Sequence, residues 1–338
     1  MRKKILITGA SGFIGSFLVQ YGLDAGMEVW AAVRPTSSRR YLTDERLQFI
    51  ELDLGNPDAL HGQLAEHGRS ERPFDYVIHA AGATKCRHEA DFFAVNAGGT
   101  RHLAQALLDT GTLRGQGRFV LVSSLSVLGP VHEKDRRPLT AQDRPVPDTA
   151  YGRSKLAAER ALASMPDLNY IVLRPTGVYG PRERDYYLIA QSIRRHVDFA
   201  VGFKPQVLTF IYVADLVEAA YRALTHGFRG RCYLLTDGKS YTSRAFSDLL
   251  QMELGVRHVL HITAPLWVLR AVSFLAYGCA RLSGRSSTLN PDKYRIMSQR
   301  NWQCDISPAR KELGFAPKWP LARGVKASVE WYREAGWL

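Results

Sequence analysis

The stretch Lys4-Ile5-Leu6-Ile7-Thr8-Gly9-Ala10-Ser11-Gly12-Phe13-Ile14-Gly15 decides the fold of this 338-residue chain. A short, largely apolar run over Lys4–Thr8 reads as a buried strand, and it opens directly into glycines and an amphipathic pattern over Phe13–Asp24. Glycines at such spacing let the backbone turn tightly and approach a pyrophosphate, whose charge the following helix N-terminus stabilises. Gly9, Ser11, Gly12, Phe13, Ile14 and Gly15 are therefore the expected diphosphate cradle. Met1-Arg2-Lys3-Lys4 ahead of an apolar run mimics a secretion signal. The run stops at Thr8-Gly9 without a small-residue cleavage site, so a first strand and a cytoplasmic protein are expected.

Working outward, further strands are expected at Glu28–Val33, Leu47–Leu52, Tyr76–Ala80, Phe119–Ser123, Tyr170–Leu173 and Cys232–Leu235. Between them, Ala90–Leu108 and Tyr151–Ala163 carry apolar residues at helical spacing. Strands alternating with helices predict an α/β fold, a Rossmann-type doubly wound parallel sheet covered on both faces. After Gly180-Pro181 the alternation weakens. Residues 1–180 with about 211–240 are expected to form the dinucleotide-binding part, and about 181–210 with 241–338 a smaller, mainly helical C-terminal substrate lobe.

Apolar content of 46% and charged content of 23% fit a globular chain with a sizeable core. The formal charge of +13 favours anionic partners: phosphates, acidic lipid headgroups or nucleic acid. The basic residues are scattered and no nucleic-acid motif accompanies them, so no nucleic-acid partner is expected. Cys86, Cys232, Cys279 and Cys304 lie far apart with no His at ligand spacing, which argues for free thiols and no metal site.

Cofactor choice depends on the end of the second strand, where a carboxylate would bind a ribose hydroxyl and repel a 2′-phosphate. Here the chain runs Val33-Arg34-Pro35-Thr36-Ser37 with no carboxylate. Arg34 can pair with a phosphate to which Thr36 and Ser37 donate, so NADP(H) is favoured over NAD(H). Asp53 and Leu54 follow the third strand, where Asp53 is placed to accept from an adenine amino group or to cap its own loop. Ala80, Ala81 and Gly82 end the fourth strand with small residues that let a cofactor pass closely.

Tyr151 and Lys155 lie four apart, on one helical face. A tyrosine of ordinary pKa is a poor acid or base at neutral pH, and a neighbouring ammonium together with an oxidised nicotinamide lowers it. So tuned, it serves as general acid for carbonyl reduction or general base for alcohol oxidation. Ser124, with Ser126 as the alternative, ends the fifth strand where a hydroxyl can hold the substrate oxygen beside the tyrosine. Ser123 is expected to face the other way. Asn96 lies on the preceding helix, where it either orders a water near Lys155 or satisfies backbone.

Together these segments resemble the extended short-chain dehydrogenase/reductase family over essentially the whole chain. The likeness extends through Val95–Thr100, Val127 and Gly129, Leu173–Pro181 and Phe210–Leu216. It implies serine–tyrosine–lysine catalysis with Pro175, Gly177 and Val178 lining a nicotinamide, and it also implies a homodimer. Candidate substrate residues are Thr84, Ser126, Tyr179, Arg182, Gln206 and Thr209.

Relatives acting on nucleotide sugars usually carry an Arg-Asp pair just before the Phe-Ile-x-Val segment. Leu208-Thr209 stands there instead, although Arg182 or Lys204 can substitute as an anchor. The apolar segment Val259–Leu282, broken by Arg270 and Arg281, is far short of the roughly 20 charge-free residues of a spanning helix. With Trp267, Phe274 and Tyr277 beside arginines it suits either a helix lying at an anionic membrane interface or a buried lobe helix. A similar stretch is a feature of the 3β-hydroxysteroid dehydrogenase-like branch, and the chain resembles bacterial 3-oxo-ceramide reductases. The expected activity is reduction of a ketone, or oxidation of the alcohol, in a lipid-like substrate such as 3-oxo-ceramide or a sterol. The alternatives are a nucleotide-sugar epimerase or dehydratase and a non-enzymatic NADP sensor.

Overall fold

The protein, described here by a computed structural model, is placed over residues 1–282 and 291–338, with side chains outside 277–290. The β-branched runs form strands β1 (Lys4–Thr8), β2 (Glu28–Val33), β3 (Gln48–Glu51), β4 (Phe74–His79), β5 (Leu113–Val122) and β6 (Tyr170–Pro175). Beyond them lie β7 (Gly177–Tyr179), β8 (Val197–Val201), β9 (Val207–Leu208), β10 (Phe210–Tyr212), β11 (Cys232–Leu235), β12 (Tyr241–Thr242) and β13 (Leu260–Ala264). One sheet takes seven of them in the order β11-β6-β5-β4-β1-β2-β3, all parallel. The order reverses between β1 and β4, and such a switch point opens a crevice at the carboxyl ends of the strands.

Helices α1 (Phe13–Asp24), α2 (Pro57–Ser70), α3 (Glu89–Phe92), α4 (Gly99–Asp109), α5 (Ala150–Ala163) and α6 (Arg184–Arg194) follow the first strands. Later come α7 (Val213–Thr225), α8 (Ala245–Leu254), α9 (Leu266–Leu282), α10 (Pro291–Ser298), α11 (Ser307–Leu313) and α12 (Leu321–Glu334). Strand side chains alternate between two cores, as a period of two requires. Ile5, Ile7, Val120 and Val122 meet the α1 and α7 side, whereas Leu6, Phe119 and Leu121 meet α2, α4 and α5. Segments 181–210 and 241–338 supply α6, α8–α12 and short two-stranded pairings outside the main sheet.

Three expected elements differ. The helix expected over Ala90–Leu108 is broken by a π-helical turn, Phe93–Gly98, between α3 and α4. Such turns insert a residue and swing a side chain inward, here the buried Asn96. The fifth strand starts at Leu113, because its register against β4 shifts between Phe74 and Tyr76. The segment 259–282 is not one helix: its first part forms β13, paired in parallel with β8. Expectations for the side chains of Tyr277, Cys279 and Arg281 lie outside the described residues. Among the described residues no helix is long and apolar enough to cross a membrane.

Candidate active site

The glycine loop is built around contacts that admit no side chain. Gly9 adopts φ +66°, and a Cβ there would stand 2.6 Å from the Ala81 nitrogen. A Cβ on Gly15 would lie 2.0 Å from the Gly9 carbonyl oxygen, so α1 can pack on its own entry loop only through glycine. Helix α1 has no side-chain cap at Gly12 and no acidic residue in its first turn. Its amino end therefore presents N–H groups and positive dipole to an anion, and the loop fits a dinucleotide pyrophosphate.

Arg34 is exposed just past β2, its backbone N–H donating to Ser37 Oγ at 2.9 Å, with Thr36 exposed between them. Asp53 is exposed as well, but its Oδ1 accepts from Gly55 N–H at 3.0 Å, which is the loop-capping role. Leu54 packs near Gly99. Ala80, Ala81 and Gly82 continue β4 into the crevice, where a Cβ on Gly82 would lie 2.9 Å from Asn96 Oδ1 and 3.7 Å from Lys155 Nζ. Strand β4 and the helix that carries Lys155 thus meet at Gly82.

Helix α5 starts where Thr149 Oγ1 accepts from Gly152 N–H at 3.0 Å. One turn separates Tyr151 from Lys155, and both are enclosed. Lys155 Nζ donates to the Val122 carbonyl at 2.7 Å, and burial brings its pKa down to about 8, an effect that Glu159 partly opposes. The Tyr151 phenol is hydrogen-bonded to Ser124, which caps the short 3-10 turn Leu125–Val127 and also accepts from Ser126 N–H. Ser123 faces the other way, donating to Glu159, which is in turn paired with Arg174 at 2.6 Å.

The expected lowering of the tyrosine's pKa needs two charges, the ammonium and an oxidised nicotinamide, and the chain supplies only the first. Burial pushes the phenol above its usual value, and only the Ser124 hydrogen bond pulls it down. Lys155 gives one of its three hydrogens to a backbone carbonyl, and in the chain by itself only Ser124 acts against the burial of Tyr151. A charge supplied with the cofactor would have to do the rest.

Asn96 is a positioning residue. Its Nδ2 donates to the Ala83 carbonyl and to Ser154 Oγ, and its Oδ1 accepts from Ala83 N–H. With both its donors engaged by protein, the amide ties the post-β4 loop to α5, which fits the second of the two expected roles, satisfying backbone.

His79 escaped the sequence reading. It is fully buried, with Nδ1 2.7 Å from Thr8 Oγ1 and Nε2 2.9 Å from Thr100 Oγ1. Thr100 already donates to the Asn96 carbonyl and Thr8 accepts from Ala81 N–H, so the ring carries its hydrogen on Nε2. Burial, reinforced by Lys155, holds its pKa at about 3. Asp292 of α10 was missed too: its carboxylate accepts from the Ala150 and Tyr151 N–H groups at 2.8 and 3.3 Å. A lone His inside a strand and an Asp some 140 residues from its partners leave no local pattern to read.

The expected substrate residues scatter. Pro175 is buried, Gly177 is exposed and Val178 is half-buried. Thr84 is exposed on the post-β4 loop and Ser126 lies beside Ser124. Tyr179 instead sits in the core, 1% exposed, edge-on to Phe210, Tyr212 and Phe246. Thr209 is buried, with Oγ1 donating to the Trp302 carbonyl at 2.6 Å. Gln206 donates to the Met297 and Gln299 carbonyls. These last two spend their polar groups tying the C-terminal segment to the chain. Arg182 lies at φ +73° between the rings of Phe17 and Tyr41, with Nη1 2.8 Å from Ser16 Oγ, so it reaches toward the glycine-loop helix.

Comparison with known proteins agrees with this architecture. A family model described as "NAD dependent epimerase/dehydratase family" matches residues 5–235. The chain is 27% identical to a ceramide reductase of Caulobacter vibrioides, over 100% of this chain and 96% of that protein. It is 32% identical to a GDP-6-deoxy-D-mannose reductase of Pseudomonas aeruginosa, over 76% and 83% of the two chains. The UDP-glucose 4-epimerase structure from Thermotoga maritima superposes with a TM-score of 0.77 at 23% identity, covering 98% and 99%, which establishes the shared fold. With a glycine cradle, a Tyr151–Lys155 helix and a family match over most of its length, the chain belongs to the NAD-dependent epimerase/dehydratase family of extended short-chain dehydrogenases/reductases.

Proposed function

We propose that this protein reduces a ketone, or oxidises the corresponding alcohol, in a hydrophobic lipid-like substrate such as 3-oxo-ceramide or a sterol-type ketone. The observation that carries the chemistry is the enclosed Ser124–Tyr151–Lys155 group beside Gly82. Bound NAD(P) supplies or takes up the hydride. The chain's own part is to hold and move a proton. Ser124 orients the carbonyl oxygen, and Tyr151 Oη gives that oxygen its hydrogen as the alcohol forms. Burial keeps the phenol protonated at neutral pH, the form a reduction needs. Lys155, charged below its pKa of about 8, offsets the negative charge left on the ring. The tie from Asn96 to Ser154 keeps these groups in register with the cofactor strand.

The lipid assignment is supported by Leu208-Thr209 standing where a diphosphate-binding arginine would be, with the Thr209 hydroxyl already committed to Trp302. The full-length likeness to a ceramide reductase points the same way. NADP(H) is favoured because Arg34 and Thr36 stand exposed where no carboxylate repels a 2′-phosphate. Ser37, accepting from Arg34 N–H, keeps its own hydrogen to donate.

A nucleotide-sugar substrate is the second reading. It is favoured by the likeness to a GDP-6-deoxy-D-mannose reductase. A turnover panel of long-chain 3-oxo-amides, 3-oxosteroids and UDP- and GDP-sugars, each with NADPH and NADH, separates the two. Lipid-ketone turnover with NADPH, reduced about 10²–10⁴-fold by Tyr151→Phe, is expected. Turnover or thermal stabilisation by a nucleotide sugar, with no lipid ketone reduced, would replace this reading by the second.

A further inference from the structure

Apolar side chains normally face the core, yet one region of this chain turns them outward. In β8 and β13, Val197 lies opposite Leu260 and Phe199 opposite Ile262, so alternate residues share one face of the ribbon. The inner face carries Asp198, buried against Ser247 of α8 and bonded to His261. The outer face leaves Phe199 65% and Leu260 64% exposed. Gly202 N–H donates to the Ala264 carbonyl, so Phe203 and Trp267 leave the same end of the ribbon, and both are exposed. Helix α9 then runs inside out. Leu269 and Ser273 point inward, while Trp267, Ala271, Phe274 and Leu275 form an exposed stripe at helical spacing.

The charge in the stretches that build this surface has one sign, and at its edge Asp248 of α8 is paired with Arg244. Arg194, Arg195, Lys204, Arg257 and Arg270 are all exposed in stretches 186–204 and 255–276. The sole carboxylate of those stretches is the buried Asp198. We propose that the outer face of the β8–β13 ribbon and the exposed stripe of α9 form a docking surface for a bilayer containing anionic lipid. Tryptophan, phenylalanine and leucine enter the headgroup boundary, and the arginines and lysine meet lipid phosphates. A second copy fits poorly. A two-fold contact would set the same cations against themselves, with only the Arg244-paired Asp248 at the edge to answer them.

The surface also lies close to the chemistry. Helix α9 packs on α10, whose Asp292 holds the first N–H groups of the Tyr151 helix. The proposal goes beyond the substrate reading and does not require it, since it concerns where the protein sits.

The test is flotation of the full chain with phosphatidylcholine vesicles, with and without phosphatidylglycerol, at low salt. Binding is expected only with phosphatidylglycerol. Removing three rim cations together (Arg194→Ser, Arg195→Ser, Arg257→Ser) is expected to weaken it about a hundred-fold, at roughly five-fold per cation. The pair Trp267→Ser and Leu275→Ser is expected to weaken it at least ten-fold, with melting temperature and NADPH affinity unchanged because both sites are exposed. Removing Arg69, Arg101 and Arg160, exposed on α2, α4 and α5, controls for net charge. Absence of binding to phosphatidylglycerol vesicles would overturn the proposal, as would equal losses from control and rim variants. So would light scattering that shows a dimer split by the Trp267/Leu275 pair, since a second copy would then cover the surface.

Discussion

Raising the pH from 7.5 to 9.5 should switch off carbonyl reduction without unfolding the protein. Lys155 is buried and loses its proton near pH 8, against 10.5 for a free lysine. Proton loss takes away the charge that offsets the tyrosinate formed in reduction. If only the charged form works, kcat/KM falls as the protonated fraction, about twenty-five-fold between pH 7.5 and 9.5. Stability moves the other way. Between the folded value and the unfolded one the unfolded chain binds the extra proton, so the contribution of this group to stability rises over that window. Initial rates of ketone reduction with NADPH, measured across the range beside the melting temperature, separate the two effects. Activity should return at once on dilution to pH 7.5. A rate that is flat to pH 10, or one that falls only in step with the melting temperature, would refute the role given to Lys155.

Acid should act through His79, whose folded pKa of about 3 lies below the free value of 6.5. A depressed histidine favours the folded state least where the unfolded chain binds the proton, so stability is lost as pH falls from 6.5 toward 3. The loss is about 3 kcal/mol by pH 4.5, and urea unfolding should show His79→Asn losing correspondingly less than wild type between pH 7 and 4.5. Equal losses would mean the ring does not titrate as proposed. Asp292→Asn removes a carboxylate from the amino end of α5 at a cost of about 1 kcal/mol. It should lower kcat several-fold while leaving the NADPH dissociation constant unchanged, and a change confined to cofactor affinity would contradict that placement.

The cofactor half of the molecule was legible because its signals are local. A strand, a glycine loop and a helix follow one another within residues 4–24, and Tyr151 and Lys155 fall within one turn. Ser124 was readable from its place at the end of a strand, and the structure puts it on Tyr151. What failed depended on distant partners. Tyr179, Gln206 and Thr209 look like binding residues by type, yet their surroundings come from residues 210–321, where they serve as core and as ties for the C-terminal segment. The burial that raises the Tyr151 phenol was hidden for a related reason: spacing places an amine nearby but says nothing of what surrounds the ring. Residues 259–282 carry little periodicity to part a strand from a helix, and only pairing with β8 turned their first part into β13.

The grip of Asp292 on Ala150 and Tyr151 bears on how such proteins can be rebuilt or diversified. Tyr151, the proposed proton donor, is anchored partly by the half of the chain that would be exchanged to change what is recognised. Transplanting that half from a relative would import a new specificity along with a different anchor for the proton donor. Chimeras joined near residue 240 should therefore recover rate when position 292 and its neighbours on α10 revert to the recipient's own sequence, even as the borrowed preference persists.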